Sequence, residues 1–222
     1  MKEERLQMSE SFLLAAILAI VGGFLDAYSY LLRGHVFANA QTGNIVLLGV
    51  YLQKGDFSKA LYYFVPISAF ALGVVLVEII KKLFKGKPGL HWRQRIVLLE
   101  LFLLFVVAMI PCGNANVIAN VLISFVCAMQ VETFRRVHQH PFTSTMCTGN
   151  LRSGTESFYQ YWQTGEIKFR DKGFKYYGII AFFIFGAVIG AFLIQPFGRY
   201  SILLCCFLLI VSVILMIKEY RM

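Results

Sequence analysis

The sequence predicts an all-α membrane protein with six transmembrane helices and two re-entrant half-helix segments, arranged as an inverted-topology repeat. Three observations predict it: the composition, six long apolar segments, and the recurrence of one polar tripeptide. Of the 222 residues, 58% are hydrophobic and 15% are charged, whereas soluble domains average about 45–50% apolar and about 25% charged. This composition argues against a soluble enzyme and against a disordered chain. We expect residues 1–222 to form a single membrane domain.

The apolar segments define the predicted spans, since a membrane-spanning helix needs about 20 mostly apolar residues. Six segments approach this length, and they are residues 11–32, 60–80, 96–113, 115–131, 176–197 and 200–217. Two other segments do not qualify. Residues 45–52 would extend only about 12 Å as a helix, and residues 141–162 are too polar to face lipid.

The distribution of Lys and Arg predicts the topology. With six spans and both termini in the cytoplasm, 17 of the 21 basic residues lie on the cytoplasmic side and four lie outside, in agreement with the positive-inside rule. Eight full spans would place a basic cluster outside, at 81–95 or at 168–175, so we expect the two unqualified segments to be re-entrant. The net charge of +9 is then explained by basic residues that face the anionic lipid on the cytoplasmic side of a cell membrane. We therefore expect no nucleic-acid partner.

An internal repeat divides the chain into two halves, residues 11–113 and residues 115–217. Residues 42–44 (Thr-Gly-Asn) recur as residues 148–150, at an offset of 106. Each half then consists of a span, a re-entrant segment and two further spans. Because three spans per half is an odd number, the halves cross the membrane in opposite directions, as in many transporters.

Two stretches of the first half carry a family resemblance. Residues 22–27 read Gly-Gly-Phe-Leu-Asp-Ala, and residues 37–44 read Phe-Ala-Asn-Ala-Gln-Thr-Gly-Asn. In these motifs the sequence resembles the YoaK-like family of small bacterial integral membrane proteins, and the similarity runs along the whole chain. The resemblance implies an integral membrane protein and implies no substrate. The function must therefore be inferred from the residues.

Two carboxylates are the predicted proton-coupling residues. The repeat offset pairs Asp26 with Glu132, and a charge within a span is costly, by about 2.5–3.5 kcal/mol, unless it faces the protein interior or a wet cavity. The alternatives are a hydrogen-bonded structural role for Asp26 and, for Glu132, a local ion pair with the neighbouring Arg135 or Arg136. Two further carboxylates, Glu78 and Glu100, are weaker candidates because the repeat pairs them with uncharged residues.

The two Thr-Gly-Asn turns are the predicted binding site. Thr is a suitable N-cap, and the apolar run after the first turn predicts a half-helix over 44–53 that starts within the membrane. Its first N–H groups would lack intrahelical partners and would face a small polar or anionic solute. The alternative is that the turns satisfy each other and hold the halves together. The predicted solute-binding residues are Asp26, Asn39, Gln41, Thr42, Gly43, Asn44, Thr145, Thr148, Gly149 and Asn150.

These features favour membrane transport of a small polar or anionic solute, with protonation of Asp26 and Glu132 coupled to it. A passive channel of the same architecture and a non-catalytic membrane scaffold or assembly protein are the alternatives. No hydrolase, metalloprotease or phosphate-cradling motif is present, so we expect no enzyme activity, no cofactor and no metal site. The expected partners are the lipid bilayer and the solute. Close helix packing at Gly73, Gly186 and Gly190, either within one protomer or between protomers, also allows a second copy of the chain as a partner.

Overall fold

The structure is a computed structural model that describes residues 11–134, 136–137, 140–141 and 147–220. Eight α-helices run through this part of the chain: α1 (Phe12–Leu32), α2 (Gln41–Gln53), α3 (Phe57–Phe84), α4 (Trp92–Met109), α5 (Asn116–Thr133), α6 (Cys147–Thr164), α7 (Ile167–Phe197) and α8 (Leu203–Tyr220). A 3-10 turn, Gly198–Ile202, joins α7 to α8. Strands β1 (Arg136–Val137) and β2 (His140–Pro141) form a short antiparallel pair.

Several of these helices are long and apolar enough to cross a membrane by length and composition. They are α1, α3, α5 and the stretch Ile167–Ile217, which combines α7, the 3-10 turn and most of α8. Helix α4 has 18 residues and carries three charged ones, Arg93, Arg95 and Glu100. The prediction of a helical protein with several helices of membrane-spanning length is confirmed.

Helix α1 lies at the centre of the protein. The Ser11 hydroxyl group caps its start by accepting a hydrogen bond from the Leu14 backbone nitrogen at 3.2 Å. In the most apolar part of α1, 72% of the residues are buried within the protein, against 28% for α3. Polar side chains on α1 are therefore held against other helices, whereas α3 leaves most of its surface for lipid.

Two helix pairs are packed backbone to backbone at glycine residues. Helix α7 packs on α1, where a Cβ atom at Gly186 would collide with the carbonyl group of Ile20. Helix α3 packs on α5 in the same manner, and a Cβ atom at Gly73 would lie 2.7 Å from the carbonyl oxygen of Phe125. Glycine is required at both contacts because no side chain fits between the helices.

The two shorter or more polar helices pack on the outside of these pairs. Helix α2 has 13 residues, which is about 20 Å, and it lies against α3, where Tyr51 stacks on Tyr63 with ring centroids 5.6 Å apart. Helix α6 lies against α7, where the rings of Phe158 and Tyr177 are 5.4 Å apart. The half-helix predicted over 44–53 corresponds to α2.

Candidate functional site

The Asp26 carboxylate lies at the start of α2. Asp26 is on α1, is 7% exposed, and its Oδ1 atom accepts a hydrogen bond from the backbone nitrogen of Asn39 at 2.8 Å. The backbone N–H of Ala40 also donates to this carboxylate. Since Ala40 is the residue that precedes the first turn of α2, one acidic side chain holds the point where this helix begins.

Other polar side chains hold the connection between α1 and α2. The Ser29 hydroxyl group accepts from the backbone nitrogen of Ala38 at 3.2 Å. The side chain of Asn44 makes two hydrogen bonds to the backbone of Phe37. Its Oδ1 atom accepts from the backbone nitrogen at 3.2 Å, and its Nδ2 atom donates to the carbonyl oxygen at 2.7 Å. Asn44 also donates to Gln41 Oε1 at 2.9 Å. These bonds fix the connection in one conformation.

This arrangement differs from the predicted array of open amides at the start of α2. Two of the N–H groups there, those of Asn39 and Ala40, already bind Asp26. The backbone N–H of Gly43 donates to the carbonyl oxygen of Ala40. The reason is that α1 runs beside the connection and brings a carboxylate to the amides, so the place predicted for an anionic solute holds an anionic side chain of the protein.

The structure brings only some of the predicted residues together. Asp26, Asn39, Gln41 and Asn44 meet at the connection between α1 and α2. The remaining predicted residues fall into four groups: Asn150 is buried, Gly43 is half-buried, Thr42, Thr148 and Gly149 are exposed, and Thr145 lies outside the described residues.

An electrostatic interaction relates the second half of the chain to Asp26. Cys147 is the first residue of α6, and its thiol group interacts electrostatically with the Asp26 carboxylate. Asn150 lies one turn further along α6 and is buried. Helices α2 and α6 thus both begin near the same carboxylate. The second predicted coupling residue, Glu132, is buried at the end of α5.

Helix α5 carries a buried polar face that the sequence analysis did not identify. Its residues recur every three or four positions, which places them on one side of a helix. All are buried. We call this set the α5 polar face, and it consists of Asn120, Ser124, Cys127, Gln130 and Thr133. The apolar residues between these positions dominate the average hydropathy of the segment and hide the polar face, whereas the spacing of the polar residues reveals it.

Most of the α5 polar face has unmet hydrogen-bonding capacity. In the described part of the chain, Ser124 Oγ, Thr133 Oγ1 and Asn120 Oδ1 are buried without a hydrogen-bond partner, and the side-chain amide of Gln130 faces the carboxylate of Glu100. A buried polar group without a partner destabilises a protein by about 1–3 kcal/mol. Such groups are able to bind internal water or a polar solute.

Glu100 is a second buried carboxylate beside this face. Its side chain lies on α4, is 0% exposed, and faces the side-chain amide of Gln130 on α5. The Cys127 thiol group interacts electrostatically with both Glu100 and Asp26, so this residue of the α5 polar face lies near both carboxylates. By contrast, Glu78 is exposed and forms an ion pair with Lys81 at 2.8 Å.

A buried arginine lies at the N-terminal end of α5. Arg33 is 0% exposed, and its guanidinium group donates to backbone carbonyl oxygens at the end of α4, including those of Val107 at 3.2 Å and Ile110 at 3.0 Å. It also donates to the Tyr28 hydroxyl oxygen at 2.8 Å. The negative end of the α4 helix dipole stabilises the cation here.

The backbone of Arg33 is tied to the α5 polar face. Its carbonyl oxygen accepts hydrogen bonds from Asn120 Nδ2 at 2.8 Å and from the Tyr62 hydroxyl group at 2.9 Å. We call Arg33, Tyr28, Tyr62 and Asn120 the Arg33 cluster. Since Asn120 belongs to both sets, the polar face ends at a dense hydrogen-bonded group that joins α1, α3, α4 and α5.

Comparison with known proteins identifies the family. Residues 14–215 match the family described as "Protein of unknown function (DUF1275)". The chain is 31% identical over 147 residues to the UPF0700 transmembrane protein YoaK of Bacillus subtilis (strain 168), an alignment that covers 63% of this chain and 64% of that relative. The matched region thus spans slightly less than two thirds of the relative's length, and no solved structure matches the chain. With its membrane-length helices and a match over nearly its whole length, the chain is a multi-pass membrane protein and belongs to the DUF1275, or YoaK-like, family.

Proposed function

We propose that this protein transports a small polar or anionic solute across a membrane. The observation that carries the proposal is the α5 polar face, which lies inside a bundle of apolar helices with two buried carboxylates, Asp26 and Glu100, near it. A purely structural bundle gains nothing from polar groups that lack partners, because each one is destabilising. A transport path needs such groups, since they replace the water that a polar solute loses.

The proposed architecture has six spans, α1, α3, α4, α5, α7 and α8, with α2 and α6 as re-entrant segments. The helix contacts support an inverted repeat of two halves. Helix α3 packs on α5 through Gly73 as α7 packs on α1 through Gly186, and α2 packs on α3 as α6 packs on α7. Exchange of the two halves converts each contact into its counterpart, as expected for the inverted repeats of transporters.

We place the protein in the plasma or inner membrane of the cell. In the proposed topology, both termini lie in the cytoplasm. The basic ends of α3 and α7, which carry Lys81, Lys82 and Lys168, then face the cytoplasm. The proposed partners are the bilayer, the solute and a second copy of the chain; neither nucleic acid nor catalysis is part of the proposal.

Asp26 supplies the proposed coupling between proton and solute. While it is ionised, its carboxylate occupies the amides at the start of α2, and an anionic solute is repelled. A proton on Asp26 removes that charge and allows an anion to approach the same amides. An anion and a proton would therefore be bound together. Glu132 is the proposed counterpart in the second half.

The test begins with thermal stability of the purified protein. A panel of small neutral metabolites and anions, including phosphate, nitrate and acetate, is screened for compounds that raise the melting temperature, since a ligand of the folded state stabilises it. Uptake of each such compound is then measured in proteoliposomes with and without an imposed pH gradient. We expect uptake driven by the gradient in the wild-type protein and not in Asp26→Asn.

The outcomes separate transport from its alternatives. Uptake that follows the solute gradient alone, with the same rate at every pH, would identify a passive channel. If no compound stabilises the protein and none is taken up, the proposal of transport is wrong and a scaffold role is favoured.

A further inference from the structure

Glu100 is the most deeply buried acidic side chain in the described part of the chain, and the proposed coupling by Asp26 and Glu132 does not use it. Neither of its carboxylate oxygens has a well-formed hydrogen bond, and Gln130 is the polar group that it faces. Gln130 in turn has both amide atoms without such a bond. Two polar side chains on neighbouring helices thus face each other in an apolar interior.

No basic group neutralises Glu100 within the described residues. On α5 it faces Gln130 and the Cys127 thiol group. On α8, the Cys206 thiol group lies against the Leu101 carbonyl oxygen at 3.8 Å, and Cys205 lies near Cys127. Asp26 on α1, the other charged group close to this position, interacts with the same thiol as Glu100 and is itself acidic.

The chemistry of the pair favours a neutral acid. A carboxylate can only accept hydrogen bonds, so it can satisfy the NH₂ group of Gln130 but not its oxygen. A protonated carboxyl group can donate to the amide oxygen and accept from the NH₂ group. An unpaired charge in a low-dielectric interior is also far more costly than a neutral hydrogen-bonded acid.

We propose that Glu100 is a proton-binding residue that holds a proton in this conformation and exchanges it along the α5 polar face when the α4–α5 contact opens to water. This inference deepens the proposed function and rests on it for the role of the proton. The binding of the proton itself is a separate property of the protein, and it can be measured without knowledge of the solute.

The first experiment is infrared spectroscopy of the full-length protein in lipid nanodiscs. A protonated carboxyl group gives a C=O stretching band that an ionised carboxylate lacks. We expect this band in the wild-type protein at neutral pH, its loss in Glu100→Gln, and its retention in Glu78→Gln. Glu78 is the matched control because it is an exposed, ion-paired glutamate on α3. The same band in Glu100→Gln as in the wild type would overturn the inference.

A second variant keeps the test informative if Glu100→Gln does not fold. In Gln130→Leu the protonated carboxyl group loses its hydrogen-bond partner, so we expect the band to move to higher frequency. An unchanged band in a folded Gln130→Leu protein would mean that the carboxyl group detected is not Glu100.

Uptake measurements distinguish the failure of this inference from the failure of the proposed function. A Glu100 band without uptake of any compound would support proton binding and refute transport. Proton-driven uptake in a protein without the Glu100 band would support transport and refute this inference. With both correct, Glu100→Gln retains thermal stabilisation by the transported compound and loses the effect of the pH gradient on its uptake.

Discussion

The Oδ1 atom of Asp26 lies 2.8 Å from the backbone nitrogen of Asn39, so an acidic side chain in the protein interior anchors the start of α2. We predict that Asp26→Asn keeps the fold, because the amide oxygen of asparagine can accept the same hydrogen bond. Its melting temperature should lie close to that of the wild type, and pH-driven uptake should be lost. Unchanged pH dependence of uptake would contradict the coupling role.

The matched variant Asp26→Leu removes the acceptor altogether. The N–H group of Asn39, which is buried, then lacks a partner, which destabilises the folded state by about 1–3 kcal/mol. From the sequence alone this substitution could be neutral, if the side chain faced lipid, but the burial of Asp26 argues against that. Equal melting temperatures for Asp26→Leu and Asp26→Asn would show that the anchor is unimportant.

A second prediction concerns the buried guanidinium group of Arg33. We expect Arg33→Lys to be clearly destabilising, because an ammonium group cannot reach Tyr28, Val107 and Ile110 from one position as the planar guanidinium does. Thermal unfolding in detergent measures the loss. The control is Lys59→Ala, which removes an exposed ion pair with Asp56 and should change stability little. Equal effects for the two variants would refute the structural role of the Arg33 cluster.

The glycine contacts give a third prediction. Gly186→Ala and Gly73→Ala each place a methyl group against the backbone of a neighbouring helix, so we expect a loss of about 1–3 kcal/mol from overpacking. Gly49→Ala is the control, since nothing lies within 4 Å of a Cβ atom there. Alanine is the better helix former at such an open position, and the control should be neutral or slightly stabilising in thermal unfolding. Tolerance of alanine at both 73 and 186 would exclude the close helix approach.

The topology can be tested with a native cysteine. Cys112 is exposed in the connection between α4 and α5, which the proposed six-span topology places outside the cell. A membrane-impermeant maleimide should label intact cells that carry the wild-type protein, and Cys112→Ser should abolish this labelling. A cysteine introduced by Lys168→Cys in a background without the native cysteines should react only after the cells are opened. Its reaction in intact cells would contradict the six-span topology.

A fifth prediction concerns pH and the start of α4. Burial and the charge of Arg93 lower the pKa of His91 below its ordinary value of 6.5, and the His91 side chain caps the helix by accepting from the Arg93 backbone nitrogen at 3.3 Å. Above that ordinary value the imidazole is neutral in both the folded and unfolded states. At lower pH the unfolded chain takes up the proton more readily, so stability should fall as the pH drops below about 6.5.

The control for this prediction is His91→Asn, which keeps a capping side chain and removes the titrating group. Its melting temperature should fall less than that of the wild type between neutral and mildly acidic pH. The same decline in both proteins would assign the pH dependence to other groups.

Much of the fold could be predicted from hydropathy and charge. The half-helix expected over 44–53 appears as Gln41–Gln53, because an apolar run that is too short to span still forms a helix when it packs on α3. Asp26 was identified as buried because a charge within an apolar span is seldom tolerated at a lipid-facing position. These inferences depend only on local sequence and on the cost of burial.

The details of the site could not be predicted in the same way. The binding of Asp26 to the amides of α2 depends on how close two helices approach, which hydropathy does not encode. Glu100 carried the same sequence feature as Asp26, a charge within an apolar run, but it was set aside because its repeat counterpart is Cys206. Symmetry between the halves need not extend to every side chain, and Glu100 is fully buried although its counterpart in the second half is not a carboxylate.

The glycine contacts also have a consequence for motion. Helices that touch backbone to backbone cannot slide or separate without the loss of many contacts at once, so α1 with α7, and α3 with α5, should each move as a rigid body. Any rearrangement that exposes the interior is then confined to the seams between these pairs and their neighbours α4 and α8. Asp26 on α1 and Glu100 on α4 both lie near Cys127 of α5, and α5 packs against both of these helices. The two titratable side chains therefore lie at the contacts between helices that can move relative to one another with the least loss of packing.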